Sequence, residues 1–185
     1  LMGMKDEAKK YLEESDVPII PGYHSENISS KCLLEEAKKI GFPILIKAAA
    51  GGGGRGVRLV RDAGEFLSVL ESAKREALSG FGNDQVILEK YLTNARHIEV
   101  QIFGDTQGNV IHLFERDCSL QRKHQKVIEE APALGISEEL REKIGAAAVS
   151  VGRIVNNVGA GTVEFILLEN GKFYFMEMNT RLQVE

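Results

Sequence analysis

TVEFILLENGKFYFMEMNTRLQVE, residues 162–185, reads as two apolar strand-like runs around Asn170-Gly171. That dipeptide is the strongest short signal for a two-residue type I′ hairpin. Such a turn sets Glu169 opposite Lys172 and, counting outward, Glu164 opposite Glu177. Carboxylates facing each other across a strand pair repel unless something positive lies between them. Past Glu177 the odd positions Asn179, Arg181, Gln183 and Glu185 alternate with Met178, Thr180, Leu182 and Val184. A strand that continues this far has one polar face and one mostly apolar face. Phe173 and Phe175 share the parity of Glu177, which makes that face apolar near the turn. From these residues alone two readings stay open. One is a solvated sheet face with an incidental acid pair; the other is a divalent-metal site, because carboxylate and amide oxygens suit magnesium.

A chain of 185 residues can bury one good-sized core or two small ones. Its formal net charge of −4 gives no whole-surface attraction to nucleic acid or to an anionic membrane, so neither is expected as a partner. Cys32 and Cys118 are far apart and in no metal-ligand spacing, which points to reduced thiols and an intracellular protein. No apolar run approaches the roughly 20 residues that span a bilayer. The start at Leu1 and the stop at Glu185 in mid-pattern suggest a fragment of something larger.

Outward from the hairpin, Ser137 caps a helix running to about Asn156, with Leu140, Ile144, Ala147, Val151 and Ile154 inward. Residues 97–103 alternate strictly, Ile98, Val100 and Ile102 on one face and His97, Glu99 and Gln101 on the other. A strand over 110–115 follows, then a polar and basic stretch over 116–126, then Val127-Ile128. Towards the N-terminus, strands are expected at 43–48, 57–60 and 86–90. Helices are expected over 5–15, after a Ser30 cap up to Gly41 (stripe Leu33, Leu34, Ala37, Ile40), and after an Asp62 cap (Phe66, Val69, Leu70, Ala73, Ala77). Without regular βαβ alternation this order gives an α+β fold in two lobes hinged near residues 91–94. Residues 1–18 would link to a domain outside the chain, 19–91 form one lobe and 92–185 the first part of the other.

Gly51, Gly53 and Gly56 satisfy G-x-G-x-x-G only formally, since a dinucleotide fingerprint opens a helix and a strand follows here. Lys47 precedes the glycines, which excludes a Walker loop. A glycine-rich flap between antiparallel strands fits, its backbone N–H groups closing over phosphates that Lys47 also meets. Four consecutive glycines are costly in backbone entropy for a merely flexible surface loop.

Flap, two-lobed plan and acid-acid-amide cluster together resemble the ATP-grasp fold. KAAAGGGGRGVRLV, EKYLTNARHIEVQIFGD, ERDCSLQRKHQKVIEEAPA, GAGTVEF and FMEMNTRLQVE are similar to the biotin carboxylase family of biotin-dependent acyl-CoA carboxylases. The resemblance covers essentially the whole chain, and the family's catalytic region continues on both sides of it. It implies that Lys5 and Lys47 hold ATP phosphates under the backbone of Gly53 and Gly54. Glu89, Lys90, Tyr91 and Leu92 would meet the adenine mostly through backbone groups, with His97 near the nucleotide and Gln121 and His124 bordering the phosphates. Glu164, Glu177 and Asn179 would hold magnesium or manganese. Lys126 would face bicarbonate or its carboxyphosphate, and Arg181, Gln183 and Val184 would bind bicarbonate. Arg181 would also stabilise developing charge, and Glu185 would be the base. Gly3-Met4-Lys5 departs from the family's usual Gly-Asp-Lys.

The implied reaction is ATP-dependent carboxylation of carrier-bound biotin. Its partners are bicarbonate, a biotinyl carrier domain and a carboxyltransferase subunit. It would run in the mitochondrial matrix of a eukaryote or the cytoplasm of a bacterium. Another ATP-grasp ligase and a nucleotide-binding or assembly module without turnover are the competing readings. The family's biotin-contacting arginine and carrier lie beyond these residues, so little turnover is expected from the chain alone. Lys90 (apart from its place beside the adenine), Arg96, Arg116, Arg122 and Lys123 read as a solvated basic face, as do Arg55 and Arg58.

Overall fold

A computed structural model describes residues 12, 15–23, 29–50, 56–122 and 125–183. Of the helix expected over 5–15, only Leu12 and Ser15 fall among them; Leu12 is buried. The chain divides into two compact units, one of them Ile20–Leu92 and the other holding Thr93–Glu185 together with residues up to Ile19.

In the Ile20–Leu92 unit, strands β1 (Gly22–Tyr23), β2 (Ile44–Ala48), β3 (Val57–Val60) and β4 (Val86–Lys90) form an antiparallel sheet in the order β1-β4-β2-β3. Helix α1 (Ser30–Ile40) lies between β1 and β2 in sequence, and α2 (Phe66–Phe81) between β3 and β4. The period-3.6 stripes of both helices supply Leu33, Ala37, Phe66, Leu70 and Ala73 to a core shared with Ile44, Ile46, Val60 and Leu88. The N-cap of α1 is Ser29 rather than Ser30, its hydroxyl accepting from Cys32 N–H at 3.3 Å. Asp62 does not cap α2 directly. Its Oδ1 instead accepts from Gly64 and Glu65 N–H in the turn before the helix.

In the other unit, β5 (Ala95–Gly104), β6 (Val110–Arg122), β7 (Gln125–Glu130), β8 (Gly159–Leu168) and β9 (Phe173–Asn179) form an antiparallel sheet ordered β7-β6-β5-β8-β9. Helix α3 (Glu138–Ile154), capped by Ser137, brings Ile144, Ala148 and Val151 into a core with Ile98, Val100, Ile102, Val163, Phe165 and Phe175. The strict alternation of residues 97–103 therefore leaves His97, Glu99 and Gln101 on the face away from that core.

The β8–β9 turn is not the two-residue type expected. Type I′ needs positive φ at both Asn170 and Gly171, and only Gly171 has it (φ 79°). Instead Gly171 N–H donates to Leu168 O (3.0 Å) and Leu168 N–H to Lys172 O (2.8 Å), closing a three-residue loop over 169–171. Near the turn Leu167 pairs with Phe173 and Phe165 with Phe175; the register then shifts, leaving Met176 between pairs, and Glu164 faces Glu177. Two one-residue departures thus cancel. The same shift puts Phe173 and Phe175 against Phe165 (5.6 and 6.4 Å between ring centroids), on the core side and not on the face of Glu177.

Gly104 lies so close to Asn157 that an added Cβ would run into the Asn157 carbonyl oxygen, a backbone atom that cannot swing aside. Gly104→Ala is expected to destabilise by about 1–3 kcal/mol or more. Gly80, inside α2 with nothing near its would-be Cβ, gives the opposite sign: Gly80→Ala should add about 0.5–1 kcal/mol. Denaturation midpoints of the two variants check both.

Candidate functional site: a charged row across four strands

The pairing Arg116↔Glu99, Glu99↔Glu164, Glu164↔Glu177 runs a single row of charged residues across β6, β5, β8 and β9. The next row holds Gln101, Thr162 and Asn179. Adjacent carboxylates would repel, and the surrounding donors answer that repulsion. Arg116 Nη2 meets Glu99 at 3.0 Å, and its Nε lies 3.3 Å from Glu129. Lys126 Nζ binds Glu99 and stands 3.6 Å from Glu164. His97 Nε2 is 2.7 Å from Glu164 Oε2, and Asn179 Nδ2 donates to Glu164 Oε1 at 2.6 Å. That bond fixes the Asn179 amide, so its Oδ1 is the atom turned elsewhere as a possible ligand.

Burial would push the Glu164 carboxyl up. The His97 hydrogen bond and the positive charge of Lys126 outweigh burial and hold it below the usual carboxylate range. Lys126 is raised, its desolvation outweighed by the Glu99 hydrogen bond and the charges of Glu164 and Glu99. Cys118, fully buried beside Glu99 and Glu129, has its thiol pushed up to about 12, chiefly by burial, and is no nucleophile. Because the folded pKa of Glu164 is depressed, its contribution is complete above the unfolded value of about 4.3 and is lost as pH falls through the lower folded value. Stability should be level above about pH 5 and fall in acid, with Glu164→Gln showing a shallower acid limb. Parallel acid limbs in urea titrations would contradict this.

Within the Ile20–Leu92 unit, Lys47 Nζ is ion-paired with Glu89, itself only 1% exposed. Lys90 Nζ donates to Gly41 O (2.6 Å) and Phe42 O (3.1 Å), so it is no solvated lysine. The N–H groups of Lys90 and Tyr91 are taken by Pro21 O (2.8 Å) and Pro43 O (3.1 Å).

His97, Gln121, Lys126, Glu164, Glu177 and Asn179 lie along one face of the larger sheet. Gln183 is buried nearby, its N–H donating to Gln101 Oε1 at 3.3 Å. β9 ends at Asn179, so the alternation does not continue as expected: Arg181 sits in a bend with an exposed side chain, its carbonyl accepting from Thr162. Lys5, Gly53, Gly54, His124, Val184 and Glu185 lie outside the described residues.

Two members of the row were not expected. Glu99 was legible, since it shares parity with His97 on a strand beside Glu164. Arg116 was read as solvated but is 6% exposed. Arg96 likewise pairs with Asp117 (2.8 Å) and donates to Leu134 O, whereas Arg58 meets the exposed Glu76, as a solvated residue does. Among the described residues, the cluster with metal-ligand geometry is His97, Glu99 and Glu164. Among the described residues no helix is long and apolar enough to cross a membrane.

The fold is that of an ATP-grasp protein, as the match to solved biotin carboxylases shows. Residues 4–185 match the family described as carbamoyl-phosphate synthase L chain, ATP binding domain, and the chain belongs to it. It is 55% identical over 184 residues to the mitochondrial methylcrotonoyl-CoA carboxylase subunit alpha of Mus musculus, covering 100% of this chain and 26% of that protein. The biotin carboxylase of Campylobacter jejuni, solved as a β-γ-ATP complex, superposes with a TM-score of 0.90 at 47% identity, covering 98% of this chain and 41% of that one. The biotin carboxylase domain of Hydrogenobacter thermophilus 2-oxoglutarate carboxylase, solved with MgADP, ADP and bicarbonate, gives 0.89 at 46%, covering 100% and 41%. The chain thus spans about a quarter of that curated relative's length.

Proposed function

We propose that this domain binds ATP with magnesium or manganese and bicarbonate, and serves in the ATP-dependent carboxylation of biotin. The observation that carries this is Glu164 facing Glu177 across β8 and β9, with Asn179 one row away and Lys126 beside them. Two carboxylates and an amide oxygen are a hard-oxygen donor set that fits magnesium or manganese. Glu164, Glu177 and Asn179 Oδ1 would hold the ion, which would spread charge on the transferring phosphoryl group.

Bicarbonate is a weak nucleophile until it loses a proton, and Glu185 takes that proton. The resulting oxyanion attacks the γ-phosphorus and ADP leaves, giving carboxyphosphate. Carboxyphosphate splits to phosphate and CO2; the phosphate takes the N1′ proton of biotin, and N1′ then captures the CO2. Lys126 and Arg181, with Gln183 and Val184, hold the bicarbonate, and the Arg181 fork matches its planar shape. Lys5, Lys47, Gly53 and Gly54 bind the phosphates, which Gln121 and His124 border, while residues 89–92 meet the adenine and His97 lies near the nucleotide. Biotin arrives on a carrier domain, and a carboxyltransferase subunit takes the product on.

Identity of 55% to the mouse subunit supports methylcrotonyl-CoA carboxylase as the parent enzyme. Its place is then the mitochondrial matrix in a eukaryote and the cytoplasm in a bacterium. Calorimetry of the chain is expected to show weak Mg·ATP binding that disappears when chelator removes the metal. No heat at nucleotide concentrations on the order of millimolar would overturn the nucleotide reading. Biotin-stimulated rather than ammonia-stimulated ATP hydrolysis by the parent separates biotin carboxylation from other ATP-grasp ligations.

A further inference from the structure

We propose that Gln121 is a positioning residue that sets the tautomer of His97, making Nε2 the ring nitrogen that carries hydrogen towards Glu164 and keeping Nδ1 an acceptor. The Gln121 side-chain nitrogen lies 2.7 Å from the Cys118 carbonyl oxygen and 2.7 Å from His97 Nδ1. A carbonyl oxygen can only accept, so the atom facing it is the amide nitrogen and not the amide oxygen. That nitrogen's other hydrogen then points at Nδ1, where it needs a lone pair; a hydrogen on Nδ1 would oppose it. The ring hydrogen therefore sits on Nε2, which is 2.7 Å from Glu164 Oε2 and 3.3 Å from Glu99 Oε1, both acceptors. Each contact agrees with the others in polarity.

Two consequences follow for the charged row. A nitrogen that carries hydrogen has no lone pair for a metal ion, so His97 drops out of the His97, Glu99 and Glu164 ligand cluster in spite of its distances. The oxygens of Glu164 each receive one N–H, Oε2 from His97 and Oε1 from Asn179, so the carboxylate plane is set from both sides. Gln121 acts on Glu164 through His97, as outer-shell partners orient ligating carboxylates elsewhere. The importance of this for metal binding rests on the function proposed above; the tautomer itself does not.

Long-range 1H–15N correlation spectra of the 15N-labelled chain, without metal or nucleotide and near neutral pH, test the assignment directly. The His97 signals are those lost in His97→Asn. The wild-type chain is expected to show a pyrrole-type Nε2 and a pyridine-type Nδ1 at His97. Gln121→Leu, which removes the donor, should shift Nδ1 part-way towards the pyrrole-type position, and Gln121→Glu, which substitutes an acceptor, fully so. Zn2+ added alone should leave the Nε2–H signal in place. Hydrogen on Nδ1 in the wild type, an unchanged His97 pattern in Gln121→Leu, or loss of the Nε2–H signal to Zn2+ each overturns the proposal. A variant that fails to fold leaves the wild-type spectrum decisive. Failure to bind ATP would undo the functional reading and leave these spectra as they are, so the two can fail separately.

Discussion

Replacing Glu99 with alanine is expected to destabilise the unit that contains it by about 3–5 kcal/mol, read from chemical-denaturation midpoints. Glu99 is fully buried and is the acceptor that Arg116 and Lys126 share, with His97 also in reach. Removing it strands the Arg116 guanidinium, itself 6% exposed, with only the 3.3 Å contact to Glu129 among these partners. The loss is therefore chiefly the desolvation of an unpaired cation. Glu99→Gln keeps the shape and one acceptor, and should lose less, about 1–3 kcal/mol. Adding Arg116→Met to Glu99→Ala removes the stranded charge and should recover part of the deficit. A Glu99→Ala loss below about 1 kcal/mol would show that water reaches Arg116 and that the row is not a closed network.

Glu164→Gln should weaken metal-dependent nucleotide binding by at least about 100-fold. Substitutions in the outer shell of a metal site already cost about 10–100-fold, and this one removes a charged ligand. The amide replaces the carboxylate with little change of volume, and its one oxygen can accept from His97 while the Asn179 amide turns to meet the new NH2 group, so the fold should survive at neutral pH. The informative comparison is calorimetric, Mg·ATP against ATP with chelator. Loss confined to the metal-containing titration supports Glu164 as a metal ligand. Equal loss in both would mean that Glu164 acts on the nucleotide by another route.

Much of the larger sheet was legible because its signals are periodic. Residues 97–103 alternate, the stripe of α3 repeats at helical spacing, and Ser137 caps in plain view. β6 was harder. Its pairing with β5 slips between Val100 and Ile102, where Phe114 takes a positive φ of 62° that a bulky residue rarely adopts, and its pairing with β7 slips between Asp117 and Leu120 and between Leu120 and Gln121. A strand whose register shifts three times no longer looks like one, so residues 116–122 read as part of a polar and basic stretch and buried Arg116 as a solvated residue. The Glu164–Glu177 pairing was anticipated through two errors of one residue that cancel. Local composition shows that a turn exists, but the number of residues it uses and the place of a bulge are settled by packing of Phe173 and Phe175 on Phe165. Lys126 beside Glu99 depends on how β7 folds back on β6, which no spacing in the chain records.

Met176 is the residue that β9 has and its partner strand does not match. Every pair from Leu167↔Phe173 to Thr162↔Asn179 could be kept if Met176 were deleted, because the count on either side of it already balances. Its presence therefore changes direction and not length: an unpaired residue bends a strand and increases its local twist. A protein lacking Met176 would keep the same partners on a straighter edge, with the carboxylate of Glu177 swung relative to that of Glu164. Carboxylate aim and hairpin stability are thus controlled by different residues, and one can be altered without the other.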